Sequence, residues 1–131
     1  MPRYFTKEEA EALLEQVRPL MEEVQRRKLL FDELQEQVSA AEARLKGDGH
    51  LSEAGKLADK RETLREVGRT MGSLVAKVQE LGVEVKDLEM GLIDFRARRG
   101  DEEIYLCWRV GEPGICWWHP IEGGFKGRQP L

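Results

Sequence analysis

The chain has 131 residues, of which 35% are charged and 40% hydrophobic, with a formal net charge of −4. An acidic balance excludes a general electrostatic pull toward nucleic acid or an anionic membrane surface, and no apolar run approaches the ~20 residues that a bilayer span needs. Met1 to Thr6 carry no apolar stretch of a secretory leader, so the expected address is the cytosol, where Cys107 and Cys116 stay reduced thiols.

Thr6, followed three residues later by Glu9, is a capping box that opens a first helix. From there Leu13, Val17, Leu20, Val24, Phe31, Leu34, Val38, Ala41 and Leu45 fall at alternating steps of four and three, with Arg27 in the polar slot. That spacing keeps one apolar stripe on one side of a helix, in the manner of a coiled coil. The helix reaches about residue 46, roughly 60 Å at 1.5 Å per residue. Pro19 removes one internal hydrogen bond and is expected to kink it. Gly47-Asp48-Gly49-His50 reads as a turn, and Ser52 as the cap of a second helix. Its stripe is Leu57, Leu64, Val67, Met71, Leu74, Val78 and Leu81, with Lys60 in the polar slot. Gly82 with Val83 behind it fits a left-handed helix end. Residues 7–82 therefore read as an antiparallel helical hairpin with its tip near 47–50, whose open end returns beside residues 4–20.

From Val83 the period changes to two, and Gly91–Ala97, Glu102–Val110 and Ile115–His119 read as strands. Residues 98–101 and 111–114 are the turns, with Pro113-Gly114 suited to type II. If both loops have four residues, Arg96 faces Glu103, Phe95 faces Ile104, Ile93 faces Leu106, Trp108 faces Trp117 and Val110 faces Ile115. Ile93, Phe95, Ile104, Leu106, Trp108, Val110, Ile115 and Trp117 then form a core face. Leu92, Asp94, Arg96, Glu103, Tyr105, Cys107, Arg109, Cys116 and Trp118 form the opposite face. The expected fold is α+β: one domain over 1–131, with the long hairpin followed by a three-stranded antiparallel meander and an irregular glycine-rich tail in 83–131.

Several motifs cluster in the second half: Val85-Lys86-Asp87-Leu88, Gly91-Leu92-Ile93-Asp94-Phe95, Tyr105-Leu106-Cys107-Trp108-Arg109, Gly111-Glu112, Trp117-Trp118-His119 and Gly124-Phe125-Lys126-Gly127-Arg128-Gln129-Pro130. Together with the opening Tyr4-Phe5-Thr6-Lys7-Glu8-Glu9-Ala10, they resemble a small bacterial domain-of-unknown-function family. The resemblance covers nearly the whole chain and implies a bacterial protein. It brings no activity, and no functional residue is carried over from it.

The candidate ligand site is the polar sheet face: Asp94, Tyr105, Cys107, Arg109 and Trp118, with His119 at the strand end. An acid, a phenol and a guanidinium beside an indole can hold a small polar ligand. In the competing reading Asp94 pairs with Arg109 or Arg96, and Arg109 stacks on Trp118. Zinc is not expected, because a closed site wants four donors. Cys116 and His119, three apart on a strand, also point to opposite faces. A bulge at Trp117-Trp118 would rescue that pair. Cys107 and His119 are on opposite faces in the four-residue-loop register, which removes a Cys–His nucleophile as well. Asp87, Asp94, Glu112 and Arg128 match no phosphate-loop pattern. No metal, cofactor or catalytic residue is therefore assigned.

Arg26-Arg27-Lys28 and Arg96, Arg98 and Arg99 read as solvated faces rather than a nucleic-acid footprint. Leu14, Met21, Leu29, Leu30 and Val75 lie outside the two-helix seam and need cover. The sheet can reach some of them, and a second hairpin is the economical cover for the rest. The sequence thus favours a non-enzymatic protein that associates through its hairpin with a second copy, or with another protein. The alternative is a small-molecule or metal-binding module, enzymatic or not, with its site on the polar sheet face.

Overall fold

The capping box forms as spaced: Glu9 N donates to Thr6 Oγ1 at 3.1 Å, and Thr6 N donates to Glu9 Oε1 at 2.9 Å. Two backbone N–H groups that a helix start leaves open are thereby satisfied. The structure is a computed structural model that describes residues 3–48 and 51–131. Helix α1 runs unbroken from Lys7 to Asp48, through Pro19, for 42 residues, about 63 Å. Helix α2 spans Leu51–Glu80. Gly49 and His50 of the expected tip lie outside the described residues, as does the side chain of Ser52. The helices are antiparallel: Arg44 pairs with Glu53, Arg61 pairs with Glu42, and Gly68 lies against the Phe31 ring. Gly82 ends the hairpin with a φ of +91°, the left-handed conformation that its position requires.

The sheet is antiparallel, with strands β1 (Glu84–Asp87), β2 (Leu92–Arg99), β3 (Glu102–Arg109), β4 (Trp117–Pro120) and β5 (Gln129–Pro130) side by side in that order. The α+β class stands, but five strands replace the expected three. The two extra strands are the short outer ones: the alternation that starts at Val83 carries no strand among the three expected, and β5 has only two residues. Each exists because a neighbouring edge offers hydrogen bonds.

Two loops differ from the expected four residues. The β2–β3 turn has only Gly100 and Asp101 between paired Arg99 and Glu102, with Gly100 at φ +63°. That is the glycine placement of a type II′ hairpin turn. It moves the register by two: Ala97 pairs with Ile104, Phe95 with Leu106 and Arg96 with Tyr105. A shift of two keeps every side chain on its expected face. The β3–β4 connection, residues 110–116, is longer. Its tight turn sits at Gly111, at φ +103°, with Glu112 N donating to Arg109 O, and not at Pro113-Gly114.

One hydrophobic core joins helices and sheet. Ala10, Leu14, Val17, Met21 and Val24 of α1 cluster with Phe5, Val78, Val83 and the inward side chains Ile93, Phe95, Leu106, Trp108 and Trp118. Leu14 and Met21 are therefore core residues, not an interface: the sheet covers them, and they are only 1% and 0% exposed. Val75 is partly buried against the same core. Leu29 and Leu30, farther along, are 66% and 42% exposed. Beyond the sheet a small second cluster, Val38, Ala41 and Leu57 with Leu45 and Leu64, holds the two helices together. No helix among the described residues is long and apolar enough to cross a membrane.

Candidate functional site

Alternation along β2 and β3 sets Asp94 opposite Cys107 on the sheet face turned away from the helices. Arg96 and Tyr105 form the next row of that face. The third contributor depends on the 110–116 connection, which is stapled to α1. Arg18 donates to Glu112 O and Pro113 O at 3.0 Å each, and Ile115 N donates to Glu11 Oε1 at 2.8 Å. Glu112 Oε1 also accepts from Arg109 N at 2.6 Å. Ile115 is buried as a loop residue, and β4 begins at Trp117, opposite Cys107 rather than Trp108. This odd displacement exchanges the two faces of β4. Trp118 turns into the core, and His119 joins the outer face beside Tyr105.

The consequence reverses the expectation that Cys107 and His119 are separated. Asp94, Cys107 and His119 offer one donor atom each, all within 4.8 Å of one another. Their residues are 2%, 0% and 2% exposed. His119 Nε2 lies 3.1 and 3.2 Å from the two carboxylate oxygens of Asp94. Its Nδ1 is 2.7 Å from Pro120 O. A backbone carbonyl can only accept, so Nδ1 carries a proton and the ring is fixed with Nε2 toward Asp94.

The tail is not irregular over this site. A short 3-10 turn at Phe125–Gly127 leads to Arg128, which donates to Glu112 Oε1 at 2.6 Å and to Cys107 O at 3.3 Å. The Arg128 guanidinium lies over the Phe125 and Trp117 rings, at 4.7 and 5.2 Å. Next to the cluster, Tyr105 OH donates to Glu84 and accepts from Arg96, both at 2.8 Å, and its ring lies 5.4 Å from the His119 ring.

Burial sets the electrostatics. It pushes the Cys107 thiol up to about 12, assisted by the Asp94 charge. It also raises Asp94, while the His119 ring acts in the opposite direction. Burial and the Glu84 carboxylate raise the Tyr105 phenol. In the metal-free protein Cys107 is thus a neutral thiol and a poor nucleophile.

Of the residues expected on the polar face, Asp94, Tyr105, Cys107 and His119 come together. Arg109 does not: it is exposed, with its guanidinium 5.9 Å from the Phe125 ring. Trp118 does not either, because it belongs to the core, with Arg99 above it at 4.3 Å. Asp94 pairs with His119 instead of Arg109 or Arg96, and Arg96 pairs with Glu84 and Glu103. Cys116 is exposed. Asp87 Oδ1 caps Met90 N, away from the cluster. Sequence reasoning missed the positioning roles of Glu11, Arg18 and Glu112. The available signal was Glu112, immediately after a turn glycine, as the residue able to close the loop.

Fold and cluster together define an α+β protein that carries a helical hairpin on one face of its sheet and a buried Asp–Cys–His group on the other. Over residues 3–131 the chain matches the family described as Uncharacterized conserved protein (DUF2203), and it belongs to that family. No curated protein and no solved structure matches it.

Proposed function

We propose that the protein binds a divalent transition metal, of the Zn²⁺ type, through Asp94, Cys107 and His119. The observation that carries this reading is the convergence of three donors within 4.8 Å, with His119 anchored through Nδ1 to a carbonyl. Such an anchor is the usual outer partner of a ligating imidazole. Nε2 faces the Asp94 carboxyl, and the approach is completed by a cation shared between them, a proton or a metal ion. Thiolate, imidazole and carboxylate form a borderline-soft set suited to Zn²⁺. Donors about 2.0–2.3 Å from a tetrahedral ion stand about 3.3–3.6 Å apart. The widest donor separation, at most 4.8 Å, therefore needs to contract by no more than about 1.5 Å.

The role assigned is structural, not catalytic, because the three side chains are sealed from any substrate. The ion ties β2, β3 and β4 together and steadies the base from which the hairpin projects. We place this role in the cytosol of a bacterial cell, where the thiol stays reduced. The test is a titration of metal-free protein with Co²⁺ and Zn²⁺. The expected result is one equivalent bound, a thiolate-to-cobalt charge-transfer band, and a thermal midpoint raised by about 10 °C at a hundredfold excess over Kd. Cys107→Ser and His119→Ala should abolish the band. No band and no shift with either metal would leave only a self-satisfied ion pair and sink the proposal. Because a thiol at about 12 must lose its proton to bind, affinity should rise about tenfold per pH unit.

A second reading rests on the exposure of Leu29 and Leu30. Under it, the mid-hairpin pairs with the same surface of a second copy about a two-fold axis. Leu30→Glu should then reduce the solution mass to that of one chain; an unchanged mass in a wild-type dimer removes this reading.

A further inference from the structure

A second site lies on the helix-facing side of the sheet, separate from the metal cluster. The first turn of α1 stops short of the far ends of β2, β3 and β4, leaving a groove of about 570 Å³. Ile104, Leu106 and Trp118 contribute apolar walls, and Lys7 and Arg99 bring two cations to the same space, with Arg98 at its edge. The volume falls within the range of small-molecule sites.

The charges here are unusual for this chain. Most arginines near the sheet are committed: Arg96 to Glu84 and Glu103, Arg128 to Glu112, and Arg18 to backbone carbonyls. Lys7, Arg98 and Arg99 have no ion-pair partner among the described residues. Arg98 and Arg99 are held by aromatic rings instead, over Tyr4 at 4.2 Å and over Trp118 at 4.3 Å. A guanidinium resting on a ring keeps its N–H donors for another acceptor. The one acidic side chain lining the groove, Glu9, is occupied in capping Thr6. Lys7 and Arg99, beside an apolar floor and without an acidic side chain in ion-pair contact, call for an anion.

We infer that this groove binds a small organic acid with an apolar body, its anionic head on Arg99 and Lys7 and its hydrocarbon or aromatic part against Ile104, Leu106 and Trp118. The inference does not depend on the metal reading, since Trp118 and His119 point to opposite faces of β4.

The test uses 8-anilinonaphthalene-1-sulfonate as the probe on the full chain, read by energy transfer from tryptophan. Saturable one-site binding is expected, with displacement by decanoate. The same rings without the sulfonate, N-phenyl-1-naphthylamine, should bind at least about tenfold more weakly, as should the probe to Arg99→Gln, because each loses a charged hydrogen bond. Thermal melts establish that each variant is folded. If Arg99→Gln melts early through loss of its Trp118 contact, Lys7→Gln on the rim carries the same comparison. A signal that never saturates, a neutral analogue that binds equally, or full affinity in the folded charge variants would overturn the inference.

Discussion

The base of the molecule and the outer half of its hairpin are built from the same two helices but hold together differently. At the base, α1 and α2 pack on a sheet whose other face is closed by the Arg128 tail, and Val17, Met21, Val24, Ile93, Phe95 and Trp108 are fully buried. Farther out, only Leu34, Val38, Ala41, Leu57 and Val67 reach burial, at 4–9% exposure. Two helices alone present too little facing surface to bury more. The stability of a helix therefore depends less on its own stripe than on the number of layers that meet it.

That contrast can be broken from either side. The largest effect is expected in the base: Trp108→Ala, which empties a fully buried indole site, should cost about 3–5 kcal/mol by chemical denaturation. Gly91→Ala follows. Its φ is +64°, and a Cβ would meet Val110 Cγ2 at 2.3 Å, so a loss of about 2–3 kcal/mol is expected. Leu57→Ala in the outer half should cost about 2 kcal/mol, the low end for its type, because a two-helix layer relaxes more easily. Hydrogen exchange sharpens this: amides flanking Leu57 should open well before those of β2 and β3. Equal protection in both regions would remove the distinction. Thr6→Ala, which breaks the cap, should cost about 1 kcal/mol.

The cluster adds a pH-dependent term at the base. Burial raises Asp94. A group raised in the folded state stabilises it fully below the unfolded value and loses that contribution as pH rises through the folded one. Metal-free protein should therefore lose stability as pH climbs above the ordinary carboxylate value of 3.8. Asp94→Asn should flatten this slope, keep the fold and lose the metal. A variant that unfolds instead makes Asp94 a structural partner of His119 alone.

Much of this arrangement was legible in the residues. Thr6 and Glu9 announced the helix start, Gly82 its end, and the steps of three and four the hairpin. Alternation placed Asp94, Tyr105 and Cys107 on one face even though the β2–β3 loop is two residues shorter than expected, because an even shift preserves sides. The same alternation placed His119 and Trp118 wrongly, because the next shift is odd. Arg109 was drawn into the site by its strand parity, but at the end of β3 it is exposed.

What the sequence by itself determined was local: caps, periods, turn glycines, and which residues of a strand share a side. Those properties depend on neighbours a few positions away. Only the tertiary structure decided that Arg18 and Glu11 hold the 110–116 loop against α1, that β4 therefore enters one residue out of step, and that a thiol, an imidazole and a carboxylate meet under the tail. Loop register is set by contacts across nearly a hundred residues of chain, and no local pattern encodes which of two parities such contacts will choose.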